Sequence, residues 1–304
     1  MTMRRSVQAV AIALMMCLLV GASGALAAKG PVTVGSKEFT EQLILGQIAL
    51  IALREAGFDV VDRTGLAGTV ATRRALESGE IDLYWEYTGT AWLVALGHDQ
   101  PITDPEEAYR RVKEEDAANG LVWLPYAPFN NTFTLMMRRA DAERLGIASI
   151  SDLAAYVNGK DGRVSLATNH EFYARPDGFP ALEQLYGFRF DRGMVLTMDS
   201  GLTYQALRGG QVEVAMGFAT DGRIAAFDLV NLEDDRQFFP VYNPAPVVRE
   251  QTLARWPEIA EILGEIAPRL DTETMTHLNY LVDIEGYEPD EVAEEWLREE
   301  GLIG

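Results

Sequence analysis

The sequence predicts an α/β protein built from two similar lobes. Short apolar segments alternate with helical segments along most of the chain, a pattern typical of mostly parallel sheets that are covered by helices on both faces. A pattern that begins at residue 75 returns 131 positions later, and no low-complexity linker divides the chain. We therefore expect the chain to cross between the lobes through extended segments near residues 125–131 and 217–221.

The predicted elements begin and end at recognisable signals. Gly57 and Gly79 fit helix C-caps, and Asp104 followed by Pro105 fits a helix N-terminus that ends near Gly120. From residue 252 onward the pattern is helical. We expect strands at 32–34, 58–61, 81–85, 121–124, 130–137, 163–168 and 194–198, and further helices at 40–57, 151–157 and 178–186.

The repeat places an aromatic residue at the end of one strand in each lobe. Tyr87 ends the first copy and Phe218 ends the second, and a turn of small residues follows both. Helix–glycine–strand joints are common in α/β proteins, which is the simpler explanation of the repeat. The alternative is a ligand held in the crevice between two lobes, at the carboxyl ends of their strands.

Residues 1–27 fit a signal peptide. Arg4 and Arg5 precede an apolar stretch too short to span a bilayer, and residues 25–27 fit a small-x-small cleavage site. Cys17, the only cysteine, lies within the apolar stretch, and the large residues before it argue against a lipoprotein signal. The mature chain then has no disulfide and no cysteine nucleophile.

Composition excludes several classes of function. The formal net charge is −20, and no basic stripe is present that would neutralise nucleic-acid phosphates. Residues 28–304 contain no apolar run of membrane-spanning length. His98, His170 and His277 are scattered and belong to no catalytic or metal-binding motif. We expect a monomeric protein that is not an enzyme and that holds no metal or cofactor.

Two basic residues are candidates for holding an anion. Gly35-Ser36-Lys37 is predicted to lie between a strand and a helix N-terminus, where backbone N–H groups favour negative charge. Arg175 is predicted to occupy the comparable turn of the second lobe. Taken singly, each is more simply explained as a solvated surface cation.

Nine motifs together resemble the substrate-binding proteins of osmoprotectant ABC transporters, which take up glycine betaine, choline and carnitine. They occur in order over the whole mature chain. They are Gly35-Ser36-Lys37-Glu38-Phe39-Thr40-Glu41 and the segments at 86–90, 129–132, 175–178, 200–204, 220–224, 238–240, 246–249 and 278–280.

The resemblance implies a periplasmic binding protein fold of type II, with two chain crossovers between lobes. The first lobe would comprise residues 28–128 and 220–304, and the second residues 129–219. A small-molecule zwitterion would be bound and passed to the permease subunit of an ABC transporter. By resemblance, an aromatic cage would consist of Tyr87, Phe133, Phe218 and Tyr242; Lys37, Thr90 and Arg175 would hold the carboxylate; and Asn131 would lie by the ammonium end.

The two phenylalanines of this set depart from the family pattern, because tyrosine is usual at the positions of Phe133 and Phe218. Both could instead be core residues of their strands. The chemistry of a cage is nonetheless sound, since a trimethylammonium group has no N–H donor but is attracted by ring faces. We expect a betaine to be preferred over choline, because choline would leave both cations unpaired. The alternatives are another ligand on the same fold (choline, a sulfonium zwitterion or an amino acid) and an enzyme on a two-lobed scaffold.

Overall fold

The computed structural model describes residues 29–304. The predicted signal peptide and Cys17 lie outside the described residues. Within them, no helix combines the length and the apolar character needed to cross a bilayer.

The first sheet contains five strands in the order β2-β1-β3-β10-β4. Strand β1 pairs in parallel with β2 and β3, whereas β10 is antiparallel to both of its neighbours, β3 and β4. Four strands therefore point in one direction and β10 in the other. The strands are β1 (Lys29–Lys37), β2 (Phe58–Leu66), β3 (Leu83–Tyr87), β4 (Leu121–Trp123) and β10 (Pro244–Arg249).

The second sheet repeats this arrangement, with the order β7-β6-β8-β5-β9. Strand β6 pairs in parallel with β7 and β8, and β5 is antiparallel to β8 and β9. In each sheet the reversed strand is the first that the chain enters after crossing from the other sheet. The strands are β5 (Phe133–Arg138), β6 (Leu166–Thr168), β7 (Val195–Thr197), β8 (Val214–Phe218) and β9 (Leu229–Asn231).

The second crossing lies later in the chain than the sequence indicated. We predicted it at residues 217–221, but β9 still pairs with β5 in the second sheet, so the chain returns to the first sheet between residues 231 and 244. Strand β9 was not among the predicted strands, and the early placement of the crossing follows from that omission. We use "first lobe" and "second lobe" below for the parts of the chain built on the two sheets.

Helices cover the sheets, and most lie close to their predicted positions. Asp104 caps its helix as expected, accepting a hydrogen bond from the Glu107 backbone N–H at 2.8 Å. The helices are α1 (Thr40–Glu55), α2 (Gly68–Ser78), α3 (Pro105–Asp116), α4 (Arg139–Leu145), α5 (Ile150–Gly159), α6 (His170–Ala174), α7 (Phe179–Tyr186), α8 (Ser200–Arg208), α9 (Arg223–Ala226), α10 (Glu250–Arg255), α11 (Glu258–Ile266), α12 (Thr272–Tyr280) and α13 (Pro289–Glu299). Single helical turns also occur, among them Thr88–Thr90, which continues into Ala91–Ala95.

The predicted repeat corresponds to equivalent positions in the two sheets. Strands β3 and β8 are each the third of a parallel trio, and Tyr87 and Phe218 are their last residues. Gly79 and Gly210 adopt positive φ angles of 80° and 73° between the preceding helix and these strands, a conformation that side chains other than glycine rarely adopt.

The strand directions bring functional positions to one edge of each sheet. The parallel strands end at the crevice between the lobes, whereas the reversed strands β5 and β10 begin there. Phe133, the first residue of β5, lies directly opposite Phe218. Pro244, the first residue of β10, lies opposite Tyr87. The two crossings also contact each other, because the Asn131 backbone N–H donates to the Tyr242 carbonyl at 3.1 Å.

Candidate ligand-binding site

The structure brings all eight predicted site residues together around one narrow cavity between the lobes. The cavity has a volume of about 30 Å³. Its lining also includes residues that the sequence analysis did not assign, notably Phe39 and Glu171. The eight predicted residues are Lys37, Tyr87, Thr90, Asn131, Phe133, Arg175, Phe218 and Tyr242.

Aromatic rings from both lobes form the apolar wall of this cavity. The Phe133 ring centroid is 5.4 Å from that of Phe218 and 5.4 Å from that of Tyr242, to which it is nearly perpendicular. Phe133 and Phe218 also pack with the apolar core of the second lobe. These two phenylalanines therefore belong to the core of the second lobe and also line the cavity.

Phe39 is an aromatic residue of the site that the sequence analysis missed. Its ring stacks on Phe218 at 5.1 Å and on Tyr87 at 6.2 Å, so it links the equivalent rings of the two lobes. Phe39 lies in the turn between β1 and α1. It belongs to the motif at residues 35–41, in which only Lys37 was given a role. Its place two residues after the lysine of that motif was the available signal.

Lys37 does not face the crevice as a free cation. Its ammonium group lies 2.6 Å from Glu86 Oε1, and both side chains are almost fully buried, at 3% and 1% exposure. Glu86 also accepts hydrogen bonds from the Tyr84 hydroxyl and the Tyr87 backbone N–H. We predicted that Gly35-Ser36-Lys37 lies between a strand and a helix N-terminus, whereas these three residues are the last of strand β1.

Arg175 is also held by carboxylates of the protein. Its guanidinium donates two hydrogen bonds to Asp177, at 3.0 and 2.5 Å, and one to Glu171 at 3.2 Å. Burial lowers the pKa of Arg175, but the hydrogen bond to Asp177 and the nearby charges raise it overall. The residue follows the short helix α6 and is not in the turn after β6, where it was predicted.

These ion pairs overturn the predicted reason for rejecting choline. We expected a ligand without a carboxylate to leave Lys37 and Arg175 unpaired, whereas Glu86 and Asp177 already compensate them. Glu171 lies beside the same cavity, and although burial raises its pKa, the charges of Lys37 and Arg175 lower it overall. The cavity is therefore bordered by acidic as well as basic groups.

Glu41 is a buried carboxylate that joins four separate parts of the chain, and the sequence analysis gave it no role. Its Oε1 accepts hydrogen bonds from the Tyr87 hydroxyl at 2.8 Å and from Asn131 Nδ2 at 2.7 Å. Its Oε2 accepts them from the Thr220 hydroxyl at 2.5 Å and from Asn279 Nδ2 at 3.1 Å. Burial raises the pKa of Glu41, against the lowering effect of these four hydrogen bonds.

The tyrosine hydroxyls of the cavity stay protonated. Burial and the Glu41 carboxylate raise the pKa of Tyr87 well above its ordinary value. Burial also raises the pKa of Tyr242, in spite of the nearby Arg175. Both rings consequently present neutral faces to the cavity, and Thr90 completes the wall as a buried hydroxyl.

A larger cavity of about 440 Å³ adjoins the narrow one. Phe39, Asn131 and Phe218 line both, so the ring of Phe39 stands between the two spaces. Within residues 29–304 there is no group of three or more His, Cys, Asp or Glu side chains suited to a metal ion. Of the three histidines, only His170 lines one of these cavities, the larger.

Comparisons with known proteins agree with this geometry. Residues 30–299 match the family described as the substrate binding domain of ABC-type glycine betaine transport systems. A glycine-betaine-binding protein of Pseudomonas aeruginosa is 45% identical over 275 residues, covering 89% of this chain and 88% of that protein. The glycine betaine-binding protein YehZ of Escherichia coli is 36% identical over 291 residues, covering 93% and 95%.

Solved structures show the same fold. The crystal structure of a glycine betaine/carnitine/choline ABC transporter protein superposes with a TM-score of 0.72 at 29% identity, covering 89% of this chain and 99% of that one. Apo YehZ from Escherichia coli gives a TM-score of 0.65 at 37% identity, covering 90% and 99%. The predicted two-lobed, type II periplasmic binding protein fold is thereby confirmed.

Proposed function

Because the chain belongs to the family of substrate-binding domains of ABC-type glycine betaine transport systems, we propose that it binds a quaternary-ammonium zwitterion such as glycine betaine in the periplasm and passes it to the permease of an ABC importer. The observation that carries this proposal is the meeting of aromatic rings from both lobes around the cavity that all eight predicted residues line. A ligand at that place contacts both lobes at once.

The rings supply much of the binding free energy. A desolvated cation–π contact contributes up to about 2 kcal/mol, so four rings contribute at most roughly 8 kcal/mol. A dissociation constant of ~1 μM requires about 8.2 kcal/mol net, after the costs of ordering and desolvation. Rings alone therefore fall short, and the ligand carboxylate must add to them.

The basic residues retain hydrogen-bonding capacity for that carboxylate. A guanidinium has five N–H donors, of which Arg175 gives three to Asp177 and Glu171. An ammonium has three, of which Lys37 gives one to Glu86. We propose that the ligand carboxylate takes the remaining donors, with Thr90 beside it and Asn131 near the onium group.

Ligand entry requires movement. A cavity of about 30 Å³ has room for roughly two water molecules and is too small for glycine betaine. The lobes are joined by two crossings, which fit a hinge that separates the rings and closes them on the ligand. Binding from both lobes then favours the closed form, the state that a permease would recognise.

A cationic ligand is the second candidate. Glu171 lines the cavity, and Glu41 accepts a hydrogen bond from the hydroxyl of Tyr87, another lining residue. An acidic border of this kind also suits choline or the ammonium group of an amino acid, and the compensated state of Arg175 removes the penalty once expected for choline.

Isothermal titration calorimetry tests the proposal. We expect glycine betaine, carnitine or proline betaine to bind, and Tyr87→Ala or Tyr242→Ala to weaken binding at least tenfold while the protein still melts cooperatively. Tyr287→Ala is the matched control, because Tyr287 is an exposed tyrosine outside the cavity. No heat with any quaternary-ammonium compound would reject the ligand class, and tighter choline than betaine binding would favour the second candidate. A converted ligand, detected by mass spectrometry, would instead indicate an enzyme.

A further inference from the structure

The two lobes also meet at a place outside the narrow cavity. Gly222, in the turn between β8 and α9 of the second lobe, lies against Tyr280, the last residue of α12 in the first lobe. A Cβ atom at Gly222 would stand 2.7 Å from Tyr280 Cα and 2.9 Å from its backbone nitrogen, which is closer than a side chain can pack. The φ angle of Gly222 is −62°, which any residue adopts, so glycine is needed here for the contact and not for the turn.

An ion pair crosses between the lobes at the same place. Arg223 of the second lobe is held by Asp221, and its Nη2 lies 3.0 Å from Asp283 Oδ2 of the first lobe. The other carboxylate oxygen of Asp283 accepts a hydrogen bond from the Thr40 hydroxyl at 2.7 Å. The side chains of the three charged residues are only 6–11% exposed, and none of the three lines the narrow cavity. We use "lobe contact" for the meeting of Gly222 and Arg223 with Tyr280 and Asp283.

Two carboxylates share one guanidinium at the lobe contact. When both are ionised, a net negative charge remains where little water reaches, and burial makes this costly. Burial accordingly raises the pKa of Asp283 from 3.8 to about 6, although Arg223 acts to lower it. The Thr40 hydroxyl suits both states of this carboxyl group, because a hydroxyl can donate to the ionised form and accept from the protonated one. Separation of the lobes returns Asp283 to water and its pKa to the ordinary value.

The charges that act on Asp283 come mainly from the second lobe. Arg223 lowers its pKa and Asp221 raises it. On α1, Glu41 lines the same larger cavity but is engaged by four hydrogen bonds. The charge of the lobe contact therefore changes with the protonation of Asp283. The elements packed against the segment Leu281–Glu285 also carry exposed charged residues, which water screens, namely His277, Glu285, Asp290, Glu291, Glu295 and Arg298.

We propose that the lobe contact is a latch, which holds the lobes closed over a bound ligand and slows its release, and which tightens when Asp283 takes up a proton. The inference rests on the proposed function, because it needs the hinge motion by which a ligand enters and leaves. The ligand leaves from the open form, so the release rate follows the fraction of liganded protein that is open. Because the pKa of Asp283 is higher in the closed form, protonation favours closure. This preference is fully present below pH 3.8 and is lost as the pH rises through 6.

Stopped-flow fluorescence with glycine betaine tests the latch, because the observed rate extrapolated to zero ligand is the release rate. In the unaltered protein we expect release about tenfold faster at pH 7.5 than at pH 5, the factor that follows from a pKa of 3.8 in the open form and about 6 in the closed form. Glycine betaine does not titrate in this range, since its nitrogen carries no proton and its carboxyl group stays ionised.

The variant Asp283→Asn cannot titrate and should release the ligand at the same rate at both pH values. Asp290→Asn is the matched control, because it makes the same substitution at an exposed residue of α13. We expect this control to keep the tenfold difference. A loss of the pH dependence that is confined to Asp283→Asn is not a result that a merely structural role would produce.

Gly222→Ala tests the geometry of the latch without a change in charge. We expect it to raise the release rate at least tenfold at pH 5, because the added methyl group does not fit against Tyr280 when the lobes are closed. Gly159→Ala is the matched control, since Gly159 ends α5 and a Cβ atom there meets nothing within 4 Å. Its release rate should stay that of the unaltered protein, and an equally small effect of Gly222→Ala would contradict the latch.

The unaltered protein alone can overturn the proposal. A release rate that is the same at pH 5 and pH 7.5 would do so, whether or not the variants fold. A tenfold difference that persists in Asp283→Asn would also overturn it, because the proton would then belong to another group of the larger cavity, such as Glu41 or His170. Failure of every quaternary-ammonium compound to bind would reject the proposed function and the latch together, whereas binding with pH-independent release would reject the latch alone.

Discussion

The two lobes share one strand order but hold their site residues by different means. Tyr87 and Phe218 end equivalent strands, yet Tyr87 donates its hydroxyl to the buried Glu41, whereas Phe218 has no hydroxyl to donate. Lys37 pairs with a fully buried carboxylate, whereas the partners of Arg175 are 21–30% exposed. The first lobe thus fixes its half of the site by buried electrostatics, and the second does so mainly by ring packing. Equivalent backbone positions need not carry equivalent interactions.

The largest expected effect tests this contrast on the two cations. Lys37→Met should lower the free energy of unfolding by about 3–5 kcal/mol, because it leaves Glu86 buried without a counter-charge. Arg175→Met should cost clearly less, since water reaches Asp177 and Glu171. Urea unfolding of both variants measures the difference. Equal losses would contradict it, and Lys37→Met/Glu86→Gln should recover stability relative to the single variant.

The second effect concerns a contact between the lobes, where Asp283 of the first meets Arg223 of the second. Burial raises the pKa of Asp283 from 3.8 to about 6, although Arg223 acts to lower it. Because the pKa of Asp283 is higher in the folded than in the unfolded state, its protonated carboxyl group stabilises the fold. This contribution is fully present below pH 3.8 and is lost as the pH rises through 6.

This shift corresponds to about 3 kcal/mol. Asp283→Asn cannot titrate, so its stability relative to the unaltered protein should rise by about that amount between pH 3.5 and pH 7. Thermal or urea unfolding across this range measures it. A difference between the two proteins that does not change with pH would show that the carboxyl group of Asp283 is not shifted.

The third effect isolates the hydroxyl that Tyr87 has and Phe218 lacks. Tyr87→Phe should cost about 1.5–3 kcal/mol of unfolding free energy, the range for hydrogen bonds to charged groups, because Glu41 loses one of its four donors. In a Glu41→Gln background the same change should cost less. A double-mutant cycle with no coupling between the two positions would show that the hydroxyl does not act through Glu41.

The smallest effect comes from making the lobes alike. Phe218→Tyr gives the second lobe the ring that Tyr87 supplies in the first, and the ring faces of phenylalanine and tyrosine attract a cation to a similar degree. We expect the affinity for glycine betaine to change less than about threefold. A tenfold gain would mean that a hydroxyl at this position binds the ligand directly.

The sequence predicted the repeated architecture well, since the signals for it are local. Glycine C-caps, the Asp104 cap and the apolar periodicity each involve neighbouring residues, and the structure confirms the elements they indicated. The short elements β9 and α9 were not predicted, and their absence from the prediction placed the second crossing too early.

Part of the cavity lining was predictable, but its electrostatics were not. The eight predicted residues came from the repeat and from the resemblance to the family, and all of them line one cavity. The pairing of Lys37 with Glu86 joins residues 49 positions apart, and that of Glu41 with Asn279 joins residues 238 positions apart. Such pairs form only when the sheets and the C-terminal helices have packed, so no local sequence pattern predicts them.

The central claim is that neutral ring faces from both lobes recognise the positive charge of a methylated onium group. Glycine betaine and 3,3-dimethylbutanoate have the same shape and the same carboxylate, but only the former is cationic at its trimethyl head. Titration calorimetry of the unaltered protein with both compounds tests the claim most directly. We predict that glycine betaine binds at least about a hundredfold more tightly, whereas equal affinities would contradict recognition by the aromatic cage.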